Sequence, residues 1–223
     1  MRESVRTRIE QEKIIAIVRG IEASKCLKTA EALYQGGIRL MEITYDQSNP
    51  ESWTATAEAI RRLTETFAGK LLVGAGTVIS TEQVELTQKA GGLFVISPDT
   101  NAAVIQRTRE LKLVSIPGAM TPSEILEAGR AGADFVKVFP AAELGPGYLK
   151  AIRAPLSHAK LMAVGGVNER NIRDFLEAGA VGAGVGGNLA NSAWIANGDF
   201  QRITEAAKSL VEQVRAFERR EEK

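Results

Sequence analysis

One cysteine, Cys26, and one histidine, His158, stand in a chain of 223 residues. A lone thiol excludes an intrachain disulfide and suits a reducing compartment. With so little His and Cys, a zinc site would have to be built mostly from carboxylates, an unusual donor set, so no metal is expected. No apolar run is long enough to span a bilayer, and Met1-Arg2-Glu3 opens no signal peptide. A cytoplasmic protein with no membrane partner is therefore expected. An excess of charge of either sign is missing too: 28 Lys and Arg face 27 Asp and Glu. That balance argues against a nucleic-acid or polyanion binder. Linkers and low-complexity stretches are lacking, so residues 1–223 are expected to form a single domain.

What is present is order. Eight β-rich runs recur: "KIIAIVRG", "LMEITY", "LLVGAGT", "FVISP", "LVSIPGA", "DFVKVFPA", "LMAVGGV" and "VGAGVGG". Each precedes a helical stretch, at a spacing of roughly 25 residues, about one βα unit with short loops. "TPSE" from Thr121 and "STEQ" from Ser80 read as capping boxes that start helices. In "SKCLKTAEALYQGG", Cys26, Leu27, Ala30, Leu33 and Tyr34 fall at helical spacing, and Gly36-Gly37 stops the helix. The runs are apolar on both faces, as parallel strands covered by helices should be. Eight such units predict a (β/α)8 TIM barrel with an extra N-terminal helix over "ESVRTRIEQEK". The closing helix should bury Ile203, Ala207, Leu210, Val214 and Phe217, with a frayed tail beyond Phe217.

Barrel active sites sit at the C-terminal ends of the strands. Polar residues at those ends are few: Arg19, Glu42, Thr44, Thr77, Ser97 and Lys137, with glycines near positions 165 and 186. His158 precedes the seventh run and so falls at the opposite face, where a surface loop histidine is expected. Cys26 lies on the apolar face of its helix and reads as a small core residue. Lys137 is the oddity. Val136 and Val138 flank it on one face of the strand, Phe135 and Phe139 share the other, and sideways escape to water is difficult. Burial lowers a lysine pKa, and a neutral amine is a nucleophile towards ketones, giving a Schiff base. Glu42, between Met41 and Ile43, is the matching carboxylate. Burial raises its pKa and a nearby ammonium lowers it, which suits a general acid/base. A Glu42–Lys137 ion pair that only neutralises two buried charges fits the same residues. The loops "AVGGV" (Gly165, Gly166) and "GVGGN" (Gly186, Gly187, Asn188) occupy the places where this fold often binds phosphate, and Asn188 could cap the following helix.

Together "EIT", "GAGTV", "ISP", "IPG", "KVFPA" and the "GG" of the seventh run resemble the 2-keto-3-deoxy-6-phosphogluconate (KDPG) aldolases. These overlap with the 4-hydroxy-2-oxoglutarate (KHG) aldolases. The resemblance runs from about Ile14 to about Asn188. It implies a class I, cofactor-free lyase that releases pyruvate from a 2-keto acid, commonly as a homotrimer. It also implies that Lys137 forms the imine, Glu42 is the general acid/base and Thr77 binds the pyruvate carboxylate. Pro98 and Phe139 would line the site, and Gly165, Gly166, Gly187 and Asn188 would hold the phosphate. Two positions depart from the pattern. Many members carry an arginine four residues after the glutamate; here Asp46 stands there, and Arg19 is the replacement grip on the carboxylate, unless it pairs with Asp46. Val164 replaces a frequent threonine and, with Arg19 and "GPGY", resembles the branch that includes the 6-phosphogalactonate aldolases. Rival readings are a sugar-phosphate isomerase or epimerase using Glu42 as base and Lys137 as an electrostatic group, and a non-catalytic sugar-phosphate-binding barrel.

Overall fold

Apolar residues on both strand faces need cover on both, and the fold supplies it with helices outside and side chains inside. The computed structural model describes residues 1–20 and 22–221. Helix α1 (Arg2–Glu12) leads into strand β1 (Ile14–Val18) and α2 (Ala23–Gln35). There follow β2 (Leu40–Thr44), α3 (Trp53–Thr66), β3 (Leu72–Gly76), α4 (Thr81–Lys89), β4 (Phe94–Ile96) and α5 (Ala102–Glu110). Next come β5 (Val114–Ile116), β6 (Gly118–Ala119), α6 (Pro122–Ala131), β7 (Val136–Val138) and α7 (Ala141–Arg153). The chain ends with β8 (Leu161–Val164), α8 (Ile172–Glu177), β9 (Gly182–Val185), α9 (Ser192–Asn197) and α10 (Phe200–Glu221). Both predicted capping boxes form, at Ser80 with Gln83 and at Thr121 with Glu124.

The strands form a nearly closed parallel barrel in the order β5-β4-β3-β2-β1-β9-β8-β7-β6. Nine strands replace the eight expected because the run "LVSIPGA" divides at Pro117. Proline has no N–H to give to a ladder. Its first half, β5, pairs with β4, and its second half, β6, pairs with β7. One run thus supplies both ends of the sheet.

Inside the barrel, Phe94, Ile96, Val114, Ile116, Phe135 and Met162 cluster with Val5 and Ile9 of α1. The N-terminal helix is therefore a stopper for the mouth at the strands' N-terminal ends. Burying a side chain such as Ile9, which is wholly inaccessible, contributes about 1.5–3 kcal/mol. Arg2 and Arg6 fasten the helix to Asp134, just before β7, and Glu10 fastens it to Lys160. Asp134 also accepts from the Ser115 N–H at 3.0 Å.

Helix α10 does not fray after Phe217. It continues to Glu221, with Arg219 on Glu212 at 2.7 Å and Arg220 within 3.7 Å of Glu177 of α8. Glu222 and Lys223 lie outside the described residues. Among those described, no helix is long and apolar enough to cross a membrane.

Candidate active site

Strand alternation decides which side chains enter the barrel. Val136 and Val138 pack outwards with the helix-facing core, so Lys137 points inwards like Phe135. Met41 and Ile43 do the same for Glu42, which shares the interior with Leu40. Register places Glu42 beside Ile17 of β1 and Gly74 of β3, and Lys137 beside Gly118 of β6 and Met162 of β8. Glu42 is 2% exposed and Lys137 9%.

Burial holds the Lys137 ammonium below the ordinary lysine range; the Glu42 carboxylate opposes that shift and the Arg19 guanidinium adds to it. Burial likewise pushes the Glu42 carboxyl up to about 7, against the pull of Lys137 and Arg19. One oxygen of Glu42, Oε2, has no hydrogen-bond partner among the described residues. Among the described residues the two groups make no ion-pair contact within 4.0 Å. They sense each other's charge across the cavity without closing into a neutralised pair. The Lys137 Nζ stands 4.8 Å from the centre of the Phe139 ring, a cation–π distance.

A cavity of about 730 Å³ opens at the C-terminal mouth, and all ten predicted site residues line it. Glu42, Lys137 and Thr77 contribute alongside Arg19, which is exposed, and Pro98. Phe139, 42% exposed, and Gly165 and Gly166 form the wall after β7 and β8. Gly166 has φ +73°, and a Cβ there would lie 2.4 Å from the Ala142 Cβ, so this turn requires glycine. Gly187 and Asn188 complete the rim. Asn188 does not cap a helix. Its amide donates to the Val167 carbonyl at 3.1 Å, tying the loop after β9 to the loop after β8. Asn191 is the cap of α9, accepting from Ala193 and Trp194 N–H. The reason is a turn in which Leu189 and Ala190 both donate to the Gly186 carbonyl before the helix begins.

Asp46 does not line this cavity. It is exposed, and its Oδ1 accepts from the Ser48 N–H and hydroxyl, which hold its carboxyl below the usual range. Among the described residues it makes no ion pair with Arg19. Cys26 is buried on the core-facing side of α2, where burial pushes its thiol up to about 11, and His158 is exposed ahead of β8.

Ile17 and Ser192 also line the cavity, and no motif in the sequence marks them. Gly76 was missed as well. A Cβ at Gly76 would fall 2.5 Å from the Glu42 Oε1, so the bare backbone is what leaves room for the carboxylate. Its signal was the alternation of Gly74 and Gly76 in one strand, which marks a close approach. Gly76→Ala is expected to cost about 1–3 kcal/mol of stability and to lower kcat/KM at least tenfold, seen by urea denaturation and steady-state kinetics. Thr77 follows in the left-handed region, φ 54°. A β-branched residue there stores about 1–3 kcal/mol, and such strain concentrates at functional sites.

The family described as KDPG and KHG aldolase matches residues 5–206. The 2-dehydro-3-deoxy-6-phosphogalactonate aldolase of Escherichia coli (strain K12) is 33% identical over 203 residues, 91% of this chain and 94% of its own. The 2-dehydro-3-deoxy-phosphogluconate aldolase of Treponema pallidum (strain Nichols) is 31% identical over 205 residues, 92% and 94%. Among solved structures, KDPG aldolase from Legionella pneumophila, with pyruvate captured as a covalent carbinolamine intermediate, superposes with a TM-score of 0.82 at 29% identity. The match covers 92% of this chain and 97% of that one.

Proposed function

The chain belongs to the KDPG and KHG aldolase family, and we propose that it cleaves a 2-keto-3-deoxy-6-phospho sugar acid to pyruvate and glyceraldehyde 3-phosphate through a Schiff base on Lys137, working as a homotrimer. The observation that carries this reading is a buried lysine whose ammonium is disfavoured, sharing one cavity with a carboxyl that titrates near neutrality.

The unprotonated Nζ of Lys137 attacks the C2 ketone, and the carbinolamine so formed takes up a proton on its hydroxyl and loses water to leave an iminium ion. Arg19 and Thr77 hold the C1 carboxylate; the planar guanidinium offers two parallel donors to it. Pro98 and Phe139 wall the reacting carbons. Backbone N–H groups around Gly165, Gly166 and Gly187, with Asn188, receive the phosphate. Glu42 takes the C4 hydroxyl proton, the C3–C4 bond breaks, and its electrons pass to the iminium as an enamine. The aldehyde leaves, C3 is protonated, and water hydrolyses the iminium to free pyruvate and the amine. 4-Hydroxy-2-oxoglutarate, which would give glyoxylate, fits the same sequence of steps.

Val164 supports a second reading, the 6-phosphogalactonate epimer. It stands in the cavity wall where a threonine would add a hydroxyl to the substrate channel. Pyruvate release measured against the gluconate and galactonate epimers and 4-hydroxy-2-oxoglutarate separates these. A protein that releases pyruvate from none of them overturns the aldolase reading. Arg19→Ala is expected to raise the KM for pyruvate in the condensation direction roughly ten- to a hundredfold, the worth of a charge-assisted contact. An unchanged KM rejects Arg19 as the carboxylate grip.

A further inference from the structure

Thr77 enters the cavity in a backbone conformation that threonine avoids, so something must hold it there. Hydrogen bonds on either side anchor its neighbours: Tyr45 N–H donates to the Gly76 carbonyl at 2.9 Å, and Val78 N–H to the Ile96 carbonyl at 3.1 Å. The carbonyl of Thr77 itself accepts from the side-chain amide of Gln47, in the connection between β2 and α3, at 2.5 Å. Gln47 is in turn held. Its Oε1 accepts from the Gln83 Nε2 at 3.1 Å. Gln83 is wholly buried in the first turn of α4, and its Oε1 accepts from the N–H groups of Ile79 at 2.8 Å and Ser80 at 3.3 Å.

The direction of this relay is dictated by the backbone. An amide side chain can be turned over, and only its surroundings say which end is oxygen. Ile79 and Ser80 offer N–H groups, which can only donate. The Gln83 oxygen must therefore face them, and its NH2 must face Gln47. Gln47 must then turn its oxygen to Gln83 and its NH2 to Thr77. Reversing either amide would set oxygen against oxygen or NH2 against N–H.

We propose that Gln47 is a positioning residue: it holds Thr77 in the left-handed conformation that aims it into the cavity, and Gln83 sets the polarity of that grip. The proposal rests on the reading of Thr77 as a ligand of the pyruvate carboxylate. Without the grip, Thr77 relaxes to ordinary φ values and the carboxylate loses part of its seat, while the imine chemistry at Lys137 continues.

Gln47→Met keeps the length and volume of the side chain and removes the donor. Gln47 is only half-buried, so the variant should fold. The KM for pyruvate in the condensation direction should rise roughly two- to tenfold, the worth of one hydrogen bond, with kcat little changed. Gln83→Glu is the sharper variant. Its carboxylate still accepts from Ile79 and Ser80 but cannot donate, so Gln47 must turn over and present its oxygen to the Thr77 carbonyl. The same rise in KM should follow although Gln47 is untouched, a result that mere space filling by Gln47 would not produce. Thr77→Ala should raise the KM too, and adding Gln47→Met to it should change little further. An unchanged KM in Gln47→Met, or full additivity with Thr77→Ala, overturns the positioning role. An unchanged KM in Thr77→Ala overturns instead the carboxylate reading beneath it.

Discussion

Borohydride added with pyruvate is expected to inactivate the protein irreversibly, leaving a reduced pyruvyl group on the peptide that carries Lys137. Imine formation needs a free amine. Exposed lysines keep their proton at neutral pH, whereas burial shifts Lys137 towards the neutral form. Lys137→Ala should escape labelling and lose activity by a factor on the order of 10⁴ to 10⁶, the scale seen when a nucleophile is removed. Lys137→Arg separates covalent from electrostatic roles. It retains the positive charge, so an isomerase or epimerase that used only that charge should keep part of its rate. An aldolase working through an imine should keep none. Labelling is read by peptide mass spectrometry, and an unmodified Lys137 peptide under turnover would sink the mechanism.

Glu42→Gln is expected to lower kcat by about 10²- to 10⁴-fold, the usual contribution of a general acid/base, while pyruvate is still trapped on Lys137. The wild-type kcat/KM should rise with pH through about 7, where the Glu42 carboxyl ionises, and that limb should vanish in the variant. Stability should respond in the opposite sense. The folded state raises this carboxyl from 4.5 to about 7, so it favours the protonated form. That advantage is complete below the unfolded value and is lost as pH rises to the folded one. Above pH 7 the wild type bears a buried carboxylate whose Oε2 has no partner among the described residues, at a cost on the order of 3 kcal/mol. Glu42→Gln is neutral at every pH. Its advantage in Tm over the wild type should widen between pH 5 and pH 8. A constant difference would mean that the buried carboxyl does not titrate in this range.

Lys137 and Glu42 were legible because strand alternation is local: two residues either side suffice to say that a charge points inwards. The helix caps at Ser80 and Thr121 are local too. Much of what stayed hidden depends on partners that local spacing does not reveal. "LVSIPGA" looks like one strand until its neighbours are known, and only then does Pro117 become a change of partner. Asn188 and Asn191 both precede an apolar stretch, and the turn onto Gly186 chooses between them. Gly76 acquires its purpose from the register of β3 against β2, and the Gln83–Gln47–Thr77 relay joins residues that no periodicity connects. Phe217 marked the end of an apolar stripe, but ion pairs to Glu212 and Glu177 carry α10 further.

Helix α1 makes the barrel a cup and not a tube. With Val5 and Ile9 packed among Phe94, Phe135 and Met162, the described residues close that end of the barrel. In the proposed reaction, substrate, aldehyde, pyruvate and the water that ends each turnover then share the mouth at the strands' C-terminal ends. On the proposed chemistry the order of traffic then follows from attachment. The aldehyde, seated at the outer glycine loops and joined to nothing once C3–C4 breaks, departs first. Pyruvate stays leashed to Lys137 until the space the aldehyde vacated admits water to release it.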